Sequence, residues 1–157
     1  MFFLEIVFFQ ILGMLHVGEI NSHSKKDKIQ PFIDLLLPKF QSTYILHQQV
    51  AIDESVITFK GRVSFRQYLK GKPHPWGIKA FVLADSKSGY VRNLLIYYGK
   101  DTELARPQLP HTVRVVLTLV SNSDLEHKGY DLYADRFYNS PLLATELLKE
   151  GVTVTGK

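Results

Sequence analysis

Residues 48–79 read QQVAIDESVITFKGRVSFRQYLKGKPHPWGIK. The first third is short and rich in β-branched residues, with Val50, Ile52, Val56, Ile57 and Phe59 as its apolar positions, which predicts a strand. Asp53 lies inside that strand. The chain then enters a stretch with six basic residues, Lys60, Arg62, Arg66, Lys70, Lys72 and Lys79, and no acid between them. A strand that carries a carboxylate and runs into an uncompensated positive segment sets the two questions of the sequence: what the carboxylate does, and which anion the cations meet.

Outward from this segment the pattern alternates between helix and strand. Pro31 precedes apolar residues at three- and four-residue steps, Ile29, Phe32, Ile33, Leu36, Leu37 and Phe40, which predicts an amphipathic helix over about 30–40. Downstream, the runs Trp76–Ala84 and Tyr90–Tyr98 flank Asp85-Ser86-Lys87-Ser88-Gly89, a composition that favours a tight turn and predicts a hairpin. The run 113–120 fits a helical face through Val113, Val116, Leu117 and Val120, yet its density of valine also suits a strand. Tyr130–Ala134 reads as a short strand ending at Asp135. Ser140-Pro141 reads as an N-cap and first helical residue, with Leu143, Leu147 and Leu148 as the buried face and Gly151 as the stop. A last strand is expected at 152–155. The order is helix, three strands, helix, strand, helix, strand, a mixed α/β domain with an antiparallel start and crossover units after it.

Composition narrows the function. The 157 residues are 45% hydrophobic and 22% charged, an ordinary globular balance for one domain. With no cysteine there is no disulfide framework, thiolate zinc site or cysteine nucleophile. The net charge of +4 divides unevenly, −2 over residues 1–59 and +6 over 60–157. The six histidines show no ligand spacing, and the ten glycines form no nucleotide-cradling loop, so no small-molecule substrate is indicated. The apolar N-terminal run MFFLEIVFFQILG is interrupted by Glu5 and Gln10 and lacks a basic n-region. It is read as a core helix, neither signal peptide nor membrane span. Residues 1–27 are thus taken as an apolar segment and polar loop, and 28–157 as the folded core.

Two carboxylates remain. Asp53 and Asp135 each sit beside apolar residues at a strand or its end, where an unpaired buried charge is costly. Carboxylates on adjacent strands can hold hard divalent cations of the kind that drive phosphodiester chemistry. The plainer alternatives are that Asp53 caps a turn or pairs with Arg66, and that Asp135 pairs with Arg136 or caps a turn near Ser140.

Several motifs in order carry a resemblance. Ile52-Asp53-Glu54-Ser55, Phe59-Lys60-Gly61-Arg62, Phe65-Arg66-Gln67-Tyr68, Lys72-Pro73 and Trp76-Gly77-Ile78-Lys79 closely resemble the core of the piggyBac transposase family. The likeness continues through Ser88-Gly89-Tyr90, Tyr98-Gly99-Lys100 and Tyr133-Ala134-Asp135-Arg136-Phe137-Tyr138-Asn139-Ser140-Pro141, and covers the chain from about Lys28 onward. The resemblance implies an RNase H-like fold and cut-and-paste DNA transposition with three aspartates on two Mg²⁺ (or Mn²⁺) ions. By motif position Asp53 matches the first aspartate and Asp135 the second. It also implies a helix near His111–Ser121, DNA as partner with contacts through the basic stretch, a homodimer in the longer form, no membrane, and a nuclear location.

The family's third aspartate and its cysteine-rich zinc-binding domain would fall beyond Lys157, so a truncated core, inactive alone, is expected. The family's Tyr-Thr-Gly-Lys turn reads Tyr97-Tyr98-Gly99-Lys100 here. A domesticated DNA- or chromatin-binding protein without catalysis is the competing expectation, and a plain interaction module a third.

Overall fold

The computed structural model describes Ser24 and residues 26–156; the expected N-terminal helix lies outside the described residues. The chain divides into two units, residues 1–36 and 37–157. The divide falls inside the first described helix, α1 (Gln30–Thr43). That helix runs three residues past its expected end and through Pro38, whose missing N–H removes one rung of the ladder. The Ser42 and Thr43 hydroxyls donate to the Lys39 carbonyl at 3.1 and 2.6 Å and close the last turn. Of the expected apolar stripe, Ile33 is buried and Phe32 is exposed.

Six strands form one mixed sheet: β1 (Gln49–Thr58), β2 (Arg66–Tyr68), β3 (Trp76–Asp85), β4 (Val91–Ile96), β5 (Asp131–Ala134) and β6 (Thr153–Gly156). Their order is β2-β3-β1-β5-β6, with β4 also paired to β3. The β1–β3, β2–β3 and β3–β4 ladders are antiparallel, while β1–β5 and β5–β6 are parallel. β2, only three residues long, was not expected; a strand this short has no period of its own and exists by pairing Arg66–Tyr68 with Trp76–Ile78. The parallel half requires crossovers, supplied by α2 (His111–Asn122) and α3 (Pro141–Lys149).

The ambiguous valine-rich run is α2. Every residue of it from Val115 to Val120 is buried, as is Val113. His111, Arg114, Thr118 and Asn122 recur at helical spacing, but within 113–120 the unbroken burial and the β-branched valines imitate a buried strand, which is why strand and helix were both open locally. α3 begins as expected: Ser140 Oγ accepts from the Leu143 N–H at 3.2 Å, and Pro141 opens the helix. Leu143 and Leu147 are fully buried, but Leu148 is 70% exposed and does not join them. One turn separates Leu143 from Leu147, and Leu148 lies about 100° further round. Gly151 stops the helix with φ of 68°.

The core lies between sheet and helices, built from Val50, Ile52, Phe81, Leu83 and Leu132 on the strands, Val113, Val116 and Val120 on α2, and Leu143 and Leu147 on α3. Gly77 shows how tightly the antiparallel half is set. A Cβ there would lie 2.5 Å from the Ile57 carbonyl oxygen and 2.6 Å from Val56 Cγ1. Gly77→Ala therefore has to part β1 from β3 and is expected to destabilise the protein by about 1–3 kcal/mol. A urea midpoint unchanged from wild type would contradict this.

Candidate functional site

β1 alternates strictly around Asp53. Val50 and Ile52 face the core, so Asp53 turns to the opposite face. On β5, Leu132 and Ala134 are buried and Tyr133 is exposed, and Asp135 follows directly at the strand's C-terminal end. The parallel register pairs Ala51 with Tyr133 and Ile52 with Ala134. Asp53 and Asp135 each follow directly on the last pair of that ladder, Ile52 and Ala134, on strands that run roughly 4.8 Å apart. Both line one hollow of about 600 Å³, with Ala51, Tyr133 and Thr155 of the same face.

Both aspartates are exposed. The burial cost expected from their apolar neighbours does not arise, because strand alternation sends those neighbours inward and the carboxylates outward. Each carboxylate is anchored locally. Asp53 Oδ1 accepts from the Glu54 N–H at 2.7 Å, and Asp135 Oδ1 accepts from the Phe137 N–H at 3.0 Å. Asp135 also closes the turn into α3, its carbonyl accepting from the Tyr138 and Asn139 N–H groups at 3.0 and 3.1 Å. The turn-capping reading of Asp135 thus holds alongside its place on the hollow. Asp53 does not pair with Arg66, whose guanidinium stacks on Trp76 at 4.7 Å. Among the described residues no group of three or more histidine, aspartate and glutamate side chains comes together as a cation cage.

Two neighbours complete the surroundings of the aspartates. Glu54 lies on the core-facing side and pairs with Lys79 at 2.6 Å. The Lys79 ammonium, with its side chain 15% exposed, also stands over Phe81 and Phe137 at 5.0 and 5.7 Å from the ring centroids. Tyr138 is buried against Phe81, and its hydroxyl has no hydrogen-bond partner among the described residues. Burial, and after it the charges of Glu54, Asp53 and Asp135, push its phenol far above the ordinary range, so it stays protonated. Strand alternation by itself turns Glu54 to the face opposite Asp53, whereas the only sequence signal for Tyr138 was adjacency, three residues after Asp135.

The basic residues separate into distinct roles. Lys60, Arg62, Lys70 and Lys72 are exposed between β1 and β3, and no ion pair engages them among the described residues. Arg66 is half-buried on β2, and its guanidinium donates to the Gly61 carbonyl at 3.4 Å. Lys79, paired with Glu54, stands apart from the other five.

A mixed sheet with a central carboxylate-bearing strand, antiparallel neighbours on one side and parallel crossovers on the other defines the RNase H-like class. A solved structure shares this fold: the piggyBac transposase synaptic complex with hairpin DNA, determined by cryo-EM, has a TM-score of 0.84 at 24% identity over 95% of this chain and 32% of that one. The chain belongs to the family described as Transposase IS4, whose profile matches residues 7–157, and its likeness to piggyBac proteins supports the piggyBac resemblance of its motifs. The human PiggyBac transposable element-derived protein 3 is 25% identical over 150 residues, 93% of this chain and 25% of the relative. The human chimeric ERCC6-PGBD3 protein is also 25% identical over 150 residues, which make up 14% of its length. The chain therefore spans about a quarter or less of the curated relatives it matches.

Proposed function

We propose that this chain is part of the catalytic core of a piggyBac-type DNA transposase, with Asp53 and Asp135 as metal ligands and the exposed cations between β1 and β3 as its DNA-binding surface. The observation that carries the reading is the shared hollow: two carboxylates from adjacent parallel strands line it together. The donor set fits Mg²⁺ or Mn²⁺, since both side chains are hard oxygen ligands, both are exposed, and no hydrogen bond engages Oδ2 of either among the described residues. When bound, such an ion polarises phosphoryl oxygens and acidifies water.

The chain's own groups do the rest. The Glu54 and Phe137 N–H groups fix the two carboxylates by their Oδ1 atoms. Lys79 neutralises Glu54 and keeps that third carboxylate on the far side of β1. Lys60, Arg62, Lys70 and Lys72 hold the phosphate backbone beside the site. Action on genomic DNA makes a nuclear location part of the same reading.

Two-ion phosphoryl transfer needs both ions held at once, and two carboxylates are too few to hold both. The 157-residue polypeptide is therefore expected to bind Mn²⁺ weakly and to leave DNA uncut. Calorimetric titration with Mn²⁺ tests the first part: Asp53→Asn and Asp135→Asn should each weaken binding by about tenfold or more. A Mn²⁺-supported nicking assay on DNA carrying piggyBac-like ends tests the second. Mn²⁺ binding indifferent to both substitutions would remove the site, and cleavage that vanishes in Asp53→Asn would show that two carboxylates suffice.

A further inference from the structure

The β2–β3 edge carries an aromatic feature that metal and phosphate binding leave unused. Cross-strand pairing sets Tyr68 opposite Trp76, with ring centroids 5.1 Å apart at 61°. They are 57% and 50% exposed. Two large aromatic rings held rigidly in water at a sheet edge invite association and mark a binding surface. Beside them Phe59, Lys60, Arg66, His74, Pro75 and Trp76 enclose a hollow of about 350 Å³, within the range of about 300–1,000 Å³ that takes small ligands. The Arg66 guanidinium lies over the indole ring, 4.7 Å from its centroid, and Lys70 and Lys72 follow in the loop that joins the two strands. No acidic residue occurs between Lys60 and Lys79.

We infer that this hollow takes one unpaired nucleobase of a DNA strand, stacked against Trp76 while Lys60 and Arg66 meet the flanking phosphates; the inference rests on the DNA-binding reading above. Charge complementarity selects a polyanion, and the aromatic wall selects a polyanion that also offers flat π-faces. A base inside a duplex is stacked on both faces and cannot enter a recess, so the occupant has to be unstacked from its neighbours. Stacking accepts any base, so the site should favour single strands without reading their sequence.

Trp76 is the only tryptophan of the chain, so its fluorescence reports on this hollow directly. The 157-residue protein is titrated at low salt with a twelve-nucleotide thymidine strand, with an abasic strand of equal length and charge, and with a duplex. The thymidine strand should quench the emission and bind roughly 5- to 150-fold more tightly than the abasic strand, which should not quench. Trp76→Leu, followed by the anisotropy of a labelled strand, should lose that preference and keep its duplex affinity, and Trp76→Phe should recover part of it. Equal affinity for the two strands, or a preference for thymidine without quenching, overturns the stacking site. In that case salt-sensitive duplex binding would leave the phosphate reading standing. Failure to bind any of the three DNAs would overturn both.

Discussion

Asp85→Ala is expected to lower the stability of the protein by about 3 kcal/mol or more, the cost of leaving the His47, Lys87 and Ser88 N–H donors without their acceptor. Asp85 ends β3 and is 1% exposed. Its Oδ1 accepts from the Lys87 and Ser88 N–H groups at 3.0 and 2.7 Å and from the Ser88 hydroxyl at 2.9 Å. Its Oδ2 accepts from the His47 N–H at 2.7 Å and lies 3.0 Å from His47 Nδ1. The carboxylate therefore ties the β3–β4 turn to the segment that enters β1.

Burial alone would raise the pKa of Asp85, but the hydrogen bonds from Ser88 and His47 outweigh it and hold the carboxyl well below the usual carboxylate range. A folded-state pKa below the unfolded value near 3.9 gives a contribution that is complete above that value. It is lost as pH falls below about 4 toward the folded pKa. Urea unfolding at pH 7, 4 and 2.5 should show wild type losing more stability on acidification than Asp85→Asn, which has no such proton to take up. Parallel losses in the two proteins would contradict the assignment.

Duplex DNA binding should be steeply sensitive to salt. If Lys60, Arg62, Lys70 and Lys72 each meet one phosphate, the logarithm of the affinity falls against log salt with a slope of about −3.6. Between 50 and 200 mM salt that is about a 150-fold loss. Lys60→Ala with Arg62→Ala should reduce the slope to about −1.8 and the loss to about 12-fold. Lys79→Ala should leave the slope unchanged, because its ammonium is paired with Glu54 and largely covered. It should cost stability by leaving Glu54 unpaired beside Phe81. A slope near zero, or one that falls with Lys79→Ala alone, would contradict this division of roles.

Spacing along the chain was enough to place most helices and strands, because each signal is local. Ser140 caps α3 through its own hydroxyl three residues on, and the Asp85–Gly89 turn is held by a side chain inside it. Likewise Val50 and Ile52 point inward and Asp53 outward by backbone geometry alone. What local spacing could not show was anything set by a partner distant in sequence. β2 has three residues and exists through its pairing with Trp76–Ile78. The form of 113–120 was decided by its packing as a crossover against the sheet, and Leu148 was excluded from the core by the direction in which α3 meets the sheet.

The sequence by itself determined the mixed α/β order, the uncompensated run of cations and the two aspartates, one inside a strand and one just past a strand's end, since composition and period travel with the chain. Only the tertiary structure decided that Asp53 and Asp135 share a hollow, because their closeness is a property of the parallel β1–β5 register, about eighty residues apart in sequence. It also withdrew Lys79 from the solvent-facing cations: a lysine's charge is written in the sequence, but whether it meets water or Glu54 depends on which strand lies alongside.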